Sequence, residues 1–478
     1  MLNNYINSVI TSELPFKPTS EQEILVAKLT DFIQTDNSDT IFLLKGFAGT
    51  GKTTVVSAFV KALEKLQIKN ILMAPTGRAA KVFSHYSKKQ AFTIHKRIYR
   101  QKNEIDGMGV FAIDKNLTKN TVFIVDEASM IANSTSDLSG FGSGRLLNDL
   151  IDYVFSGTQC KLILLGDEAQ LPPVGSFLSP ALNKSELELF GKDIIEVNLR
   201  QIVRQSAKSG VLFNATKIRN QIPEFVNKVL LPRFELKSFT DIERINGQEI
   251  IDAITHAYDT CGQEETLIIT RSNQLANRYN TGIRKSILWR DEEIAQGDLL
   301  MIVKNNYFWT QKIENIDFIA NGDIAKVNTI HKYENLYNLR FAEVTLSFPD
   351  YEDLKIRCKI LLDTLNLNTP SLDSEQNRKF YQAVSEDYSD IKSKRDVYKQ
   401  IKENPYFNAM QVKFAYAVTC HKAQGGQWDT VFVDQGYFTD DMLNVEYLRW
   451  LYTAFTRAVK KLYLVNFKDE YFLSKRNK

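Results

Sequence analysis

The sequence is poor in the features that mark several classes of protein. It contains only four cysteines and no C-x-x-C pair; the cysteines are Cys160, Cys261, Cys358 and Cys420. This scatter argues against a zinc site or a disulfide framework and is typical of a reducing compartment. No apolar stretch approaches the length that spans a membrane. The first five residues also lack the charged start and apolar run of a secretory signal. We therefore expect a cytoplasmic location and no membrane partner.

An excess of charge of one sign is also missing. Lys and Arg number 60 against 57 Asp and Glu, which gives a formal net charge of +3 over 478 residues. The charge of the whole chain therefore does not indicate a nucleic-acid partner, and any basic surface must be local. There is no internal repeat and no low-complexity tract. The length predicts roughly two to four domains, and a hydrophobic content of 44% can fill their cores.

One stretch of the chain has a definite chemical meaning. Residues 46–53, GFAGTGKT, match the phosphate-binding pattern G-x-x-x-x-G-K-[ST]. An apolar run precedes them as a predicted strand and helical apolar spacing follows them, so a chance glycine-rich turn is the weaker interpretation. Lys52 is expected to reach the β- and γ-phosphates of ATP, and Thr53 to ligate Mg²⁺. The predicted nucleotide-binding residues are Gly46, Phe47, Ala48, Gly49, Thr50, Gly51, Lys52, Thr53 and Thr54.

Three further apolar runs end in polar residues. These predicted core strands are residues 70–74, 121–125 and 161–165. Open α/β sheets bind ligands at the carboxyl ends of their strands. Asp126 is therefore expected to hold Mg²⁺ through its shell, Glu127 to orient and deprotonate water, and Gln170 to sense the γ-phosphate. An isolated Asp-Glu pair would be a solvated turn, but the phosphate loop upstream favours the catalytic interpretation.

Gln22 lies near the start of a predicted helix at residues 19–33, just ahead of the phosphate loop. A solvated surface amide is the ordinary interpretation of such a residue. Its place in the chain leaves open a second role, in which the amide contacts the adenine of the nucleotide.

A second α/β half follows, with predicted core strands at residues 266–270, 414–418, 430–433 and 461–465. Residues 320–362 interrupt it with β alternation that predicts a small barrel or sheet, and residues 370–404 are charged and helical in pattern. In the first half, residues 97–119 predict a small insertion with a hairpin around residues 106–109. The Ser/Gly-rich residues 132–144 predict a surface loop.

Taken in order, these residues resemble the motifs of superfamily 1B DNA helicases of the RecD/Dda/Pif1-like branch, and most closely its compact Dda-type members. The resemblance covers nearly the whole chain. The matching segments are Gln22 and residues 46–53, 74–80, 93–95, 126–130, 166–175, 203–205, 321–323, 416–425 and 451–458.

The resemblance implies an α/β fold with two RecA-like P-loop domains and parallel sheets. A small pin insertion would interrupt the first domain, and an SH3-like β insertion the second. The implied boundaries are 1–96 and 120–190 for the first domain, 97–119 for the pin, 191–304 and 412–478 for the second domain, and 305–411 for the SH3-like insertion.

The family also implies roles that the residues alone do not give. Arg204 and Arg457, from the second domain, would reach the γ-phosphate, where cations stabilise a charge-dispersed transition state. Other strand-end residues would grip the backbone of single-stranded DNA without reading its sequence. They are Pro75, Thr76, Arg78 and His95 in the first domain and Thr419, His421 and Lys422 in the second.

The resemblance therefore implies an ATP-dependent helicase that moves 5′ to 3′ on single-stranded DNA, unwinds partial duplexes and is active as a monomer. Protein partners stay unknown. Two alternatives remain open: an RNA helicase, because backbone grips accept either sugar, and a nucleotide-gated binding switch that does not unwind. A kinase would leave the second α/β half unexplained.

Overall fold

The structure is a computed structural model. It describes residues 2–35, 37, 39–101, 111–134, 142–203, 208–225, 230–311, 313, 316, 318–351 and 353–472.

A six-stranded parallel sheet forms the first domain, in the order β3-β2-β6-β7-β1-β8. Its strands are β1 Thr40–Gly46, β2 Lys69–Ala74, β3 Ala91–Thr93, β6 Thr121–Val125, β7 Lys161–Gly166 and β8 Asp193–Leu199. The associated helices are α1 Leu2–Ser12, α2 Ser20–Gln34, α3 Lys52–Lys65, α4 Gly77–Ser87, α5 Ile94–Ile98, α6 Leu146–Phe155 and α7 Lys184–Glu188.

Helices cover both faces of this sheet. On β1, Phe42 and Leu44 pack into the apolar cluster shared with α1, α2 and α3. Ile41 and Leu43 point the other way, into the cluster shared with α5 and α6. A strand that is buried on both faces has a continuous run of apolar residues in its sequence. The sequence therefore predicts these strands well.

The second domain is built on a five-stranded parallel sheet in the order β16-β10-β17-β18-β9. Its strands are β9 Ile242–Ile245, β10 Thr266–Thr270, β16 Ala417–Thr419, β17 Trp428–Asp434 and β18 Ala458–Val465. The helices are α8 Gly210–Glu224, α9 Ile250–Cys261, α10 Asn273–Ser286, α13 Cys420–Ala423 and α14 Val445–Phe455.

A closed five-stranded barrel interrupts the second domain, as the alternation of residues 320–362 predicts. Its strands are β11 Leu299–Ile302, β12 Ile324–Leu336, β13 Leu339–Phe348, β14 Leu354–Leu361 and β15 Met410–Phe414. Between β14 and β15, the charged segment forms two helices, α11 Ser374–Glu386 and α12 Lys394–Glu403. They pack on the barrel through a cluster that includes Phe341, Phe380 and Ile401.

Three predicted boundaries are wrong. Residues 193–199 pair with β1 along its whole length, so the first domain continues past 190. The barrel begins at Leu299 rather than 305 and ends at Phe414 rather than 411. The apolar run 414–418 therefore belongs to two strands. The barrel strand β15 ends at Phe414, and β16 of the second sheet begins at Ala417. Apolar character alone does not show which sheet an apolar segment joins.

The insertion in the first domain contains an antiparallel strand pair, β4 Tyr99–Gln101 and β5 Phe111–Ile113. The predicted hairpin turn at residues 106–109 lies outside the described residues. Phe111 lies opposite Gln101, at the end of the pair away from the first sheet, and its ring centroid lies 4.5 Å from that of Tyr307, next to the barrel. This contact joins the first-domain insertion to the second-domain insertion.

The predicted surface loop at residues 132–144 is described only at its ends, since residues 135–141 lie outside the described residues. The end of the loop is bonded to α6, where the hydroxyl of Ser143 donates to Asp149 Oδ1. The hydroxyl of Tyr99 donates to Oδ2 of the same carboxylate. Within the described part of the chain, no helix is both long and apolar enough to cross a membrane.

Candidate nucleotide and nucleic-acid site

The phosphate-binding loop, residues 46–53, joins β1 to α3 as the sequence predicts. Gly49 and Gly51 adopt positive φ angles of 79° and 76°, which curl the backbone ahead of the helix. The hydroxyl of Thr50 donates to the carbonyl of Phe47 over 2.8 Å and braces the loop. Lys52 Nζ donates to the carbonyl of Gly46 over 3.2 Å. The lysine therefore lies folded over the loop whose phosphate it is predicted to bind.

Gln22 is buried completely, so the solvated-amide interpretation is wrong. Its Oε1 accepts the backbone N–H of Thr19 in a capping box, and its Nε2 donates to the carbonyl of Thr50 over 3.0 Å. A Cβ atom on Gly51 would lie 2.5 Å from that Nε2. The Gln22 amide therefore fixes the end of the phosphate loop to the start of α2, and each of its two polar atoms keeps a second hydrogen-bonding capacity for the predicted adenine contact.

Asp126 and Glu127 follow β6, at the same sheet edge as the loop. Burial, and then the neighbouring Glu127 carboxylate, raise the pKa of Asp126, while Lys52 and the Glu127 N–H act in the opposite direction. Glu127 has a left-handed backbone (φ 52°), rare for a residue with a side chain. Its Oε2 is buried and has no hydrogen-bond partner among the described residues. That oxygen is available to a water molecule.

The donor set fits a divalent cation. Asp126 is a buried carboxylate whose charge is disfavoured by its surroundings, and a cation would reverse that penalty. Thr53, the second residue of α3, supplies a hydroxyl beside the phosphate loop. Carboxylate and hydroxyl oxygens, completed by phosphate oxygens and water, are what Mg²⁺ binds in such sites.

Asp167 and Gln170 follow β7, the next strand of the sheet. Burial raises the pKa of Asp167; the nearby Lys52 and a hydrogen bond from Tyr452 oppose this. Gln170 is 6% exposed, and its Oε1 is buried without a partner among the described residues. An unsatisfied buried amide oxygen at this edge is consistent with its predicted role as a γ-phosphate sensor.

The second domain meets this edge through α14. The hydroxyl of Tyr452 accepts the N–H of Ala48 over 2.9 Å and donates to Asp167 Oδ2 over 2.5 Å. Thr453 Oγ1 accepts the N–H of Leu171 over 2.9 Å. The sequence did not single out Tyr452 or Thr453. They lie inside a recognised motif, but nothing in the sequence shows which face of the helix meets the other domain.

Arginine placement differs from the prediction. Arg457 is 4% exposed and donates to the carbonyls of Thr453 and Gly426 and to the hydroxyl of Thr456, all in its own domain. Among the described residues, none of the hydrogen bonds of Arg457 crosses the cleft, so its predicted contact with the γ-phosphate requires a different side-chain conformation. Arg204, the other predicted arginine, lies outside the described residues.

Two arginines that the sequence did not single out line the cleft instead. A cavity of about 590 Å³ lies between the domains, bordered by Lys45, Phe47, Gln170, Arg219 and Arg449 among others. The guanidinium of Arg219 lies 4.1 Å from the Phe47 ring centroid. Arg449 donates to the carbonyls of Glu168 and Gln170.

Strand order explains where the predicted DNA contacts lie. The carboxyl ends of β1, β6 and β7 carry the nucleotide residues, and those of β2 and β3 continue the same edge. Pro75 and Thr76 follow β2, and His95 follows β3, with its ring 5.7 Å from that of Tyr99. Thr76 caps α4 by accepting the N–H of Ala79.

Arg78 contacts the second domain. Its guanidinium lies 4.1 Å from the centroid of the Trp428 ring and donates to the carbonyl of Gln427 over 3.2 Å. A Cβ atom on Gly425 would lie 2.8 Å from that of Ala79. The two domains therefore touch closely beside the predicted DNA contacts as well as beside the phosphate loop.

The predicted contacts of the second domain lie around α13. Thr419 is the residue before this short helix. Burial lowers the pKa of His421, and Glu446 opposes it. Burial, with a smaller effect of Lys413, lowers the pKa of Lys422 to about 8. Lys422 Nζ is buried and has no hydrogen-bond partner in the described part of the chain. A phosphate group would supply the missing partner.

Comparisons with known proteins agree with this arrangement. Residues 19–224 match the family described as an AAA domain, and residues 414–465 match the UvrD-like helicase C-terminal domain. The chain is 26% identical to uncharacterized protein R530 of Acanthamoeba polyphaga mimivirus, over 93% of this chain and 98% of that protein. It is 24% identical to the ATP-dependent DNA helicase dda of Enterobacteria phage T4, over 82% and 86%.

A crystal structure of the Pif1 helicase from Bacteroides with ADP-AlF3 and ssDNA aligns over 96% of this chain and 95% of that one, with 16% identity and a TM-score of 0.47. The two family matches fall on the two parallel-sheet domains, and the relatives span nearly the whole chain. The chain is therefore similar along most of its length to helicases of the RecD/Dda/Pif1-like branch of superfamily 1, in agreement with its motifs.

Proposed function

We propose that this protein is an ATP-dependent DNA helicase that moves 5′ to 3′ along single-stranded DNA and separates duplex ahead of it. One observation carries the proposal. The phosphate loop, the Asp126–Glu127 pair and Gln170 occupy one sheet edge, against which the second domain packs at both the nucleotide end and the DNA end. Closure of the cleft can therefore be transmitted from one end to the other.

Each residue at the nucleotide end has a role in hydrolysis. Lys52 binds the β- and γ-phosphates, and the backbone of the loop cradles them. Glu127 accepts the proton of the attacking water through its unpartnered Oε2. Gln170 contacts the γ-phosphate region, and Arg457, together with Arg204, stabilises negative charge that develops there. Asp126 and Thr53 hold Mg²⁺, which, when bound, neutralises charge on the phosphates.

At the other end, two sets of residues hold the DNA backbone. Thr76, Arg78 and His95 belong to the first domain; Thr419, His421 and Lys422 belong to the second. Since the two domains approach and separate with each ATP, the two sets can alternate their grip and advance along the strand. The β4–β5 insertion, held against Tyr307, is suited to stand at the fork.

The DNA partner is supported by relatives rather than by contacts in this structure. The dda protein is named a DNA helicase, and the Bacteroides Pif1 structure contains ssDNA. We expect a single copy to be active, because one chain carries both halves of the nucleotide cleft. RNA in place of DNA is the main competing substrate, since contacts to phosphates alone do not exclude it.

The test is unwinding of two matched partial duplexes, one with a 5′ and one with a 3′ single-stranded tail, with ATP and Mg²⁺. We expect only the 5′-tailed duplex to open. Opening of only the 3′-tailed duplex would reverse the polarity, and opening of an RNA duplex but neither DNA would identify an RNA helicase. Hydrolysis stimulated by single strands without any unwinding would leave a translocase or switch.

A variant links this test to the site. Glu127→Gln keeps the size of the side chain and removes the proton acceptor, so ATP hydrolysis should fall about 100-fold or more while ATP binding persists. Glu375→Gln, on the exposed surface of α11, is the matched control and should hydrolyse ATP normally. Normal hydrolysis by Glu127→Gln would contradict the assignment of the base.

A further inference from the structure

One face of α14 is committed to the first domain. Arg449, Tyr452 and Thr453 follow the i, i+3, i+4 spacing of a single helical face. Each of them makes a hydrogen bond to the residues that follow β7, and Tyr452 also reaches the phosphate loop. These contacts do not involve the guanidinium of Arg457, which is hydrogen-bonded within the second domain.

Tyr452 makes the most constrained of these contacts. The side chain is 1% exposed, and its hydroxyl uses both hydrogen-bonding capacities across the domain boundary: it accepts from Ala48 and donates to Asp167. Burial raises the pKa of Tyr452 well above its ordinary value, so the hydroxyl stays protonated and remains a donor. A hydroxyl that donates to a buried carboxylate is among the stronger hydrogen bonds in proteins.

Thr453 acts on the adjoining loop. Its Oγ1 accepts the N–H of Leu171, and Gln424 Nε2 donates to the carbonyl of the same residue over 2.7 Å. Both the backbone N–H and the carbonyl of Leu171 are therefore hydrogen-bonded to side chains of the second domain. Gln170 directly precedes Leu171. The hydrogen bonds from the second domain therefore also help to position the backbone of Gln170.

We propose that Tyr452 and Thr453 are positioning residues for ATP hydrolysis: they align the phosphate loop and the Gln170 loop with each other when the cleft is closed. The inference deepens the proposed function and rests on it. Tyr452 links Ala48, on the loop that holds the phosphates, to Asp167, whose carboxylate lies within the electrostatic reach of Lys52. Small errors in such alignment cost large factors in rate.

An alternative is that this face only fastens the two domains together. In that case, losing a hydroxyl would weaken folding or ATP binding, and any other buried hydroxyl of α14 would serve equally well. Positioning predicts a loss confined to kcat, because the aligned arrangement matters most in the transition state.

The test is steady-state ATP hydrolysis by the full chain with saturating single-stranded DNA, comparing Tyr452→Phe with Tyr447→Phe. Tyr447 is a matched control: it lies on the same helix, is 2% exposed, and bonds through its hydroxyl to Gln435 and Tyr471 in its own domain. We expect Tyr452→Phe to lower kcat about 10- to 100-fold with KM for ATP changed less than about threefold. Tyr447→Phe should leave both constants near wild type.

A second measurement separates alignment from binding. Tyr452→Phe should bind ADP as wild type does and bind ADP with aluminium fluoride, which resembles the transition state, at least about tenfold more weakly. Thr453→Val, which keeps the shape and removes the acceptor for Leu171, should change kcat in the same direction and guards against a folding defect in the tyrosine variant.

The outcomes are distinct. An unchanged kcat in Tyr452→Phe, a loss confined to KM, or an equal loss in Tyr447→Phe would overturn the inference while leaving an active helicase. Absence of DNA-stimulated hydrolysis in the wild-type protein would overturn the proposed function, and the inference would fall with it.

Discussion

Lys422 carries a charge in surroundings that disfavour it. Its ammonium group is largely buried, lacks a hydrogen-bond partner among the described residues and lies near Lys413, which has a lowered pKa of its own. A buried cation without a partner costs stability unless a ligand compensates for it. The geometry is that of a residue held ready for an anion such as a DNA phosphate.

With a pKa of about 8, the proposed binding of a DNA phosphate by Lys422 should depend on pH. The folded-state pKa lies below the ordinary 10.5, so the charged form is complete below pH 7 and is lost as the pH rises through 8. Single-stranded DNA affinity should therefore decline above pH 8. In Lys422→Met, affinity should be about tenfold lower at pH 7 and flat across this range.

The lowered pKa of Lys422 also makes the free energy of unfolding depend on pH. The DNA-free protein bears the burial cost in full below pH 8 and is relieved of it between pH 8 and 10.5. Lys422→Met should therefore raise the unfolding free energy at pH 7 by on the order of 1–2 kcal/mol without DNA. Fluorescence anisotropy and thermal unfolding measure the two effects. Lys379→Met, exposed on α11, is the control, and a pH profile identical to wild type in Lys422→Met would refute the assignment.

The placement of residues that directly follow an apolar strand was predictable, while their roles stay predictions. Lys52, Asp126, Glu127 and Gln170 each follow a strand whose apolar run marks it, and the carboxyl edge of a parallel sheet brings them together. Tyr452 was not predictable in this way, because its partners lie about 285 and 404 residues away along the chain. A contact between domains depends on how two finished surfaces pack, which short motifs do not encode.

At the scale of elements, the two insertions meet. The Phe111 ring of β5 packs on Tyr307, and Tyr307 packs on Phe318 with ring centroids 5.0 Å apart. These aromatic contacts connect the strand pair of the first domain to the accessory region of the second. They would transmit a force on the strand pair to the barrel rather than leaving it to bend away.

Tyr307→Ala should therefore uncouple unwinding from hydrolysis. Removing the ring takes away the support of the strand pair, so the rate of unwinding of a 5′-tailed duplex should fall about three- to tenfold. DNA-stimulated hydrolysis should stay near wild type, because the ring contacts described for Tyr307 are with Phe111 and Phe318, outside the predicted nucleotide site. Tyr333→Ala, a half-exposed tyrosine of the same barrel, is the matched control. Equal losses of both activities in Tyr307→Ala would show general damage instead.

Helices and strands with clear apolar periodicity were predicted. The sheet to which each strand belongs was predicted less well. The helix at residues 19–33 is found at 20–34, and the alternation of 320–362 became three barrel strands. β8 was missed as part of the first domain because its partner β1 lies 150 residues earlier in the chain. Pairing of parallel strands is set by the packing of crossover helices, which local apolar patterns do not report.

At the scale of the molecule, the domains touch at two places along one edge. Tyr452 bridges them at the nucleotide end, and Arg78 stacks on Trp428 at the DNA end. We expect a change in one contact to be transmitted to the other through the two sheets. The predicted DNA residue Arg78 has in this way a second task, which is to join the two grips.

Arg78→Lys separates the two tasks. It keeps the positive charge for a phosphate but lacks the planar group that stacks on the indole. Single-stranded DNA affinity should change less than about twofold, while DNA-stimulated kcat should fall about two- to fivefold. Arg395→Lys, on the exposed face of α12, controls for the substitution itself. A large loss of affinity with an unchanged kcat would show that Arg78 serves only the DNA.

The placement of the barrel has a consequence for how the chain is made. β9 and β10 of the second sheet pair only with β16, β17 and β18, all of which follow the barrel in the chain. During synthesis, the six strands of the first domain can pair by residue 199, while β9 and β10 emerge without partners. β11 and β15 are neighbours, so a closed barrel brings its two ends together. This shortens the loop that β10 must close to reach β16 about fivefold, which lowers the entropic cost by roughly 1.4 kcal/mol. We therefore expect the barrel to assist assembly of the second sheet, a role separate from any part it has in unwinding.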